Sequence, residues 1–312
     1  MLPTRRPDRY ISDSMSSPQA SPAPAPVLAV SSNKGGVGKT TLATNLAIYL
    51  RALREDLSVL LVGLDDQKTL DRMFALHEIQ PGEPNLKHGW AERSLTNAIQ
   101  LGQYGVHFVP SPPDLTMLKS RAEDAKTLAR IVRNTDFDGV LILDTKSDLE
   151  ALTVNAYHAA DRILLPIADW ASLEEAEKIF RLLERGRLDL TRVRVVFTLV
   201  DRRTKLERGE QHLFRKLQAE VQLRGWPYYK TSLSRSPRVE MLNSGTGRPR
   251  SILHDAKGTA VHEQMRQLTL EVLDDLELSE HMPELAFDEP DELWGGPPSD
   301  PGDGWRSHWR TS

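Results

Sequence analysis

Asn33-Lys34-Gly35-Gly36-Val37-Gly38-Lys39-Thr40-Thr41 packs two lysines, three glycines and two threonine hydroxyls into nine residues. These residue types at this spacing suit the chemistry of phosphate. Glycines let the backbone wrap close to phosphate oxygens, with successive N–H groups pointing inward, and a following helix N-terminus adds positive potential. Lys39 is placed to neutralise β- and γ-phosphates, and the Thr40 hydroxyl to ligate Mg²⁺. A phosphate loop that binds ATP and Mg²⁺ is therefore expected over Lys34, Gly35, Gly36, Val37, Gly38, Lys39, Thr40 and Thr41. The ordinary loop pattern needs glycine at position 33. This chain has Asn33 there, followed by an additional lysine, Lys34.

A loop of this kind must be strung between a strand and a helix, and the flanking sequence supplies both. Short apolar runs read as buried parallel strands over Val27–Ser31, Val59–Leu64, Val106–Pro110, Gly139–Asp144, Arg162–Ile167 and Val193–Val200, with Trp226–Leu233 a weaker seventh. After the loop, Leu42, Leu46, Tyr49, Leu50 and Leu53 share one helical face. Leu173–Arg185, Arg208–Arg224 and Gly258–Leu278 also read as helices. Strand–helix alternation of this kind predicts an α/β fold, a mostly parallel, doubly wound P-loop sheet with helices on both faces. In Phe137–Thr145 four apolar residues bury a strand and deliver Asp144 to its C-terminal end, where it can hold Mg²⁺ through a water.

These motifs resemble the ParA and MinD family of deviant Walker A ATPases, whose hallmark is K-G-G-x-G-K-[ST]-[ST]. The resemblance implies that Lys34 reaches across a dimer interface to the partner's ATP. Ser58–Gln67 is similar to the family's switch segment ending in D-x-D-P-Q, which implies that Asp65 positions the attacking water. Gly63 stands where the family has its first aspartate, and Asp66 where it has proline. Asp144 matches the Walker B aspartate, followed by Lys146 and Ser147 in place of two prolines. Lys34, Lys39, Asp65 and Asp144 are thus the expected catalytic set, with Thr40 and Asp144 as metal ligands. Asn155-Ala156 and Ala159-Ala160-Asp161 match the next helix. Val196–Arg203 ends a strand near where the family reads adenine, which points to Asp201. The likeness covers roughly residues 27–277, and the ATPase domain is expected over 27–280. The Pro-, Ser- and Ala-rich residues 1–26 and the acidic residues 281–312 are expected to be disordered.

Composition narrows the function. The chain has 312 residues and no cysteine, which excludes disulfides, Fe–S clusters and cysteine nucleophiles and suits a reducing cytoplasm. Within the family this removes the nitrogenase iron-protein branch and ligases with a cysteine glutaminase domain. No tyrosine follows Tyr229, so the tyrosine cluster of related kinases is missing. The net charge of −4 covers a polarity: 202–250 carries twelve Lys/Arg against four Glu, and 271–312 carries twelve Asp/Glu against two Arg. A membrane-riding, MinD-like role would need a basic amphipathic terminal helix, and the acidic terminus argues against it. Arg235, Arg238, Arg248 and Arg250 lie where ParA proteins carry non-specific DNA contacts. The expectation is a partition or positioning ATPase, dimeric with ATP, nucleoid-associated and released by a cargo-bound activator. The alternatives are a MinD-like membrane-associated positioning ATPase and a metabolic ATP-dependent ligase of related fold. Trp294, Trp305 and Trp309 could form a docking motif in the acidic terminus.

Overall fold

The computed structural model of the chain describes residues 25–279, apart from 66, 123, 202–209 and 245–246. The N-terminal extension, the acidic terminus with its three tryptophans, Asp66 and the start of the basic stretch therefore lie outside the described residues.

Seven strands form one sheet in the order β3-β4-β2-β5-β1-β6-β7. They are β1 Val27–Val30, β2 Val59–Gly63, β3 Gln100–Leu101, β4 His107–Val109, β5 Val140–Asp144, β6 Arg162–Ile167 and β7 Val193–Phe197. All pairs are parallel except β3 with β4. The continuous apolar runs are explained by burial on both faces, since β1, β2 and β5 are buried at every position. The register places Asp144 level with Val30 on one side and Gly63 on the other. The C-terminal ends of the three central strands thus open onto one crevice, where open α/β sheets bind ligands.

Two cores follow from strand alternation. Leu28, Val30, Val59 and Leu61 face α1 Lys39–Leu53, α2 Thr69–Phe74, α9 Pro237–Ser244, α10 Ile252–Asp255 and α11 Ala260–Asp275. Val27, Ala29, Leu60 and Val62 face α3 Leu86–Glu92, α4 Thr116–Arg121, α5 Thr127–Arg133, α6 Ala151–Ala159, α7 Trp170–Arg185 and α8 Glu210–Leu223. The helix after the phosphate loop is less one-sided than its leucine spacing suggests. Ten of the 15 residues of α1 are buried, so it is a central helix enclosed by α10 and α11.

One expected strand is absent and one unexpected strand is present. Trp226–Leu233 forms no ladder with β7: Val195 and Tyr228 make an isolated bridge, and just beyond both segments Val200 bridges Ser234. Pro227 lacks an N–H, so the segment cannot continue a ladder there. Instead, the Phe180–Trp226 ring stack at 4.1 Å and Arg224 over the Trp226 ring fasten it. The seventh strand is the two-residue β3, too short to register as a periodic run.

Candidate functional site

The phosphate loop leaves β1 and turns into α1 with Gly38 as N-cap at φ 89°, and Gly36 at φ 76°. Both are left-handed conformations that side chains rarely adopt. A Cβ added at Gly35, Gly36 or Gly38 would meet nothing within 4 Å, so the loop borders an open cradle. Its frame is fixed by buried polar contacts from three elements. The Ser31 and Tyr157 hydroxyls are 2.8 Å apart. Thr198 donates to the Val37 carbonyl at 2.9 Å. Asn45 donates to the Thr41 carbonyl and accepts from the Ile252 N–H, both at 2.8 Å.

Lys39 is buried and donates to the Lys34 carbonyl at 3.2 Å and to the Ser147 hydroxyl. Burial pulls its pKa down, while the charges of Asp144, Asp65 and Asp148 oppose that fall. Ser147, which stands where the family has proline, thus gives the loop lysine a hydroxyl partner. Asp144 is 1% exposed. Burial pushes its pKa up to about 7, against a hydrogen bond from Thr40 and the charge of Lys39. Its Oδ1 has no hydrogen-bond partner among the described residues. A buried carboxylate oxygen left unpaired is costly and calls for a cation or a cation-bound water. The open glycine cradle, the Thr40 hydroxyl and the orphaned Asp144 oxygen together fit a nucleotide with Mg²⁺.

Asp65 lies at the end of β2, accepts from the Gln67 N–H at 3.2 Å and acts electrostatically on both Lys39 and Asp144. The structure therefore brings Lys39, Thr40, Asp65 and Asp144 into one site. Gly63 has a packing reason: a Cβ there would sit 3.1 Å from Leu70 Cδ2. Leu70 of α2 fills the space that the family's first aspartate would use.

Lys34 has a cis partner that sequence reasoning missed. Its Nζ pairs with Asp169 Oδ2 at 2.5 Å, both side chains remaining partly exposed at 31% and 45%. Asp169 also caps α7, its Oδ1 accepting from the Ser172 N–H at 2.8 Å. Burial raises the Asp169 pKa, but hydrogen bonds from Lys34 and Ser172 outweigh it and hold the group below the ordinary carboxylate value. Asn33 donates to Glu175 on the same helix. These partners lie 135 and 142 residues away, with no local signal to reveal them.

Beside the loop is a hollow of about 400 Å³ lined by Gly36, Thr41, Thr198, Leu199, Arg235 and Asn243, among others. Its place beside the cradle suits a base and sugar next to the phosphates. Leu199 holds φ 54° there, a strained conformation for a leucine that is typical of ligand clamps. Asp201 lines an adjoining hollow with Leu213 and Phe214, and Arg235 borders both. Arg235 pairs with Glu240 at 3.2 Å. The other three arginines gather elsewhere. Arg238 donates to the Asp255 carbonyl at 2.8 Å, Arg250 approaches Asp255 Oδ1 at 3.3 Å and Arg248 donates to the Ala75 carbonyl at 2.7 Å. All three are exposed.

Known proteins are similar to this chain in sequence and in fold. Residues 25–189 match the family model described as an AAA domain. The chromosome-partitioning ATPase Soj of Thermus thermophilus is 31% identical over 252 residues, covering 79% of this chain and 94% of Soj. Among solved structures, the ATP complex of a Cyanothece McdA variant superposes with a TM-score of 0.65 at 18% identity, covering 81% of this chain and 97% of McdA. Cobyrinic acid a,c-diamide synthase from Mycobacterium smegmatis, with an ATP analogue and magnesium, gives 0.62 at 20% identity, covering 83% and 98%. At such identities the two structures speak to the fold alone, whereas the Soj match and the family model cover enough of the chain to decide its lineage. By its phosphate loop, its strand-end aspartates and that sequence match, the chain belongs to the ParA/MinD family of P-loop ATPases.

Proposed function

We propose that the chain is a partition or positioning ATPase that dimerises on ATP, binds DNA without sequence preference and is released when a cargo-bound partner stimulates hydrolysis. The observation that carries this is Lys34. It stands on the rim of the phosphate loop, charged, partly exposed and held among the described residues by a surface pair to Asp169. A second lysine so placed can leave its cis partner for the phosphates of another protomer.

In this reading the loop N–H groups and Lys39 bind the phosphates of ATP, and Thr40 and Asp144 hold Mg²⁺. When bound, the ion neutralises charge that builds on the β- and γ-phosphates. Asp65 orients the attacking water. Slow turnover follows when a positioning group must come from a partner. The likeness to Soj, a chromosome-partitioning ATPase, agrees with a positioning role. Arg238, Arg248 and Arg250 supply phosphate contacts whose avidity doubles in a dimer, so DNA affinity becomes ATP-dependent. Arg235, which borders the base-and-sugar hollow, is better placed for nucleotide than for DNA. No helix among the described residues is long and apolar enough to cross a membrane.

The test is DNA co-sedimentation with ATP, ADP or no nucleotide, at salt below about 0.15 M so that charges are not fully screened. ATP-dependent binding that is lost in Lys34→Ala is the expected result. Equal DNA affinity in the ATP and ADP states overturns it. Absence of DNA binding together with ATP-dependent turnover of a small acid would favour a metabolic ligase.

A further inference from the structure

We propose that a hollow of about 470 Å³ between α3, α4 and α5 is a second binding site, which takes a carboxylate carried on an apolar body. It shares no lining residue with the phosphate loop or the hollow beside it, and its helices pack on the opposite face of the sheet from α1. Its volume lies within the range of small-ligand sites, about 300–1,000 Å³.

The lining is rich in donors. Arg93, Arg121 and Arg130 border the hollow, with Asp124 as the acid among its lining residues. Arg130 is committed to Asp124 at 2.6 Å. The side chains of Arg93 and Arg121 have no ion pair or hydrogen bond among the described residues. Among the described residues, two exposed guanidinium groups at its edge are therefore open to an anion. A planar fork of N–H donors matches a carboxylate in a bidentate manner.

An independent observation concerns Trp90, which also lines the hollow and is 5% exposed. Its indole N–H is buried and has no acceptor among the described residues. Buried indoles usually find a partner, so this donor is unusual. The Trp90 ring, Ala91 and Ile131 add apolar wall, which an inorganic anion would leave unused. A carboxylate attached to an aliphatic or aromatic group satisfies the guanidinium edge and the wall together, with the Trp90 ring as part of that wall.

Side-chain contacts join the helices of the hollow to α6 and to the residue that precedes it. Buried Asn155 of α6 donates to the Ala122 carbonyl at 2.9 Å and accepts from the Leu128 N–H at 3.0 Å, clasping both ends of the α4–α5 connection. Lys119 of α4 pairs with Glu150, the residue before α6. The carboxylate could come from a free organic acid or from an acidic polypeptide segment.

The test follows the indole N–H signals of the isotope-labelled full chain by NMR, among six tryptophans. Trp90 is assigned by the signal lost in Trp90→Phe. The probes are phenylacetate and a peptide of residues 284–294, each against sodium chloride of equal ionic strength. A saturable shift of the Trp90 signal is expected, with affinity at least about tenfold weaker in the Arg93→Ala/Arg121→Ala double variant. Response to phenylacetate alone identifies a free acid as the source, and response to the peptide alone a polypeptide. No shift beyond that of chloride with either probe, or equal affinity in the double variant, overturns the proposal. If Trp90→Phe does not fold, calorimetric titration of wild type and the double variant, altered only at exposed positions, decides the same question.

Discussion

Asp169→Asn isolates the cost of freeing Lys34. The two oxygens of Asp169 do separate jobs, Oδ1 capping α7 and Oδ2 holding Lys34. Asparagine caps a helix as well as aspartate does, so α7 keeps its cap and only the ion pair is lost. Partial exposure of both side chains, at 31% and 45%, limits the pair to about 0.2–1 kcal/mol after solvent screening. Because the Asp169 pKa is depressed in the folded chain, that contribution is present at neutral pH and is lost only as acid titrates the group below its ordinary value. A symmetric dimer frees two lysines, so about 0.4–2 kcal/mol no longer opposes assembly, or about 2- to 30-fold in the dimer dissociation constant. Sedimentation equilibrium with Mg²⁺ and a non-hydrolysable ATP analogue measures this directly. Tighter association in Asp169→Asn, abolished when Lys34→Ala is added, is the expected outcome. Unchanged or weaker association would refute the idea that the cis pair competes with the dimer contact.

Other substitutions probe the frame around the site. Asp275 accepts from Arg162 at 2.9 Å, Arg194 at 2.6 Å and the Tyr229 hydroxyl at 3.0 Å, joining α11 to β6, β7 and the segment after α8. Burial raises its pKa, but the two arginines and the tyrosine together hold it below the ordinary value. Asp275→Asn should cost about 2–4 kcal/mol at neutral pH in urea unfolding. The deficit should begin to shrink as pH falls below about 4, where the unfolded carboxylate gains its proton, and fade as pH passes the lower folded value. Asn155→Ala leaves the buried Leu128 N–H and Ala122 carbonyl unpaired and should cost about 2–4 kcal/mol by thermal or urea melts. Gly139 holds φ 151°, and a Cβ there would sit 2.1 Å from the Ser58 carbonyl oxygen. Gly139→Ala should therefore break the Val140–Ser58 hydrogen bond that starts β5 and destabilise the chain by roughly 3 kcal/mol or more, read from the same melts.

The parts of the site written in contiguous residues were legible. Glycine spacing, a following helix and acids at strand ends are local signals, and six of the seven strands carried enough apolar residues to be seen. β3 was not legible because two residues show no period. The expected strand over Trp226–Leu233 has the right composition, but its proline and its side-chain stacking against Phe180 keep it from forming a ladder. Contacts that join distant segments were hidden for a different reason: nothing near Lys34 points to Asp169, and nothing near Lys39 points to Ser147. Arg235 shows the limit of reading charge alone. It sits in a basic stretch with Arg238, yet the chain turn before α9 sends one to the base-and-sugar hollow and the other to Asp255.

The short antiparallel β3 has a consequence for assembly. It covers the outer edge of β4 with only two residues, while the bridges at Tyr228 and Ser234 shield β7 at the other end. Among the described residues neither margin of the sheet offers a long run of free backbone on which a neighbouring chain could add strands. Copies of this protein are thereby steered away from joining margin to margin into open-ended stacks. The ATP-dependent pair proposed above would use the strand-end crevice instead, where a twofold axis makes the same patch serve both copies and closes the assembly.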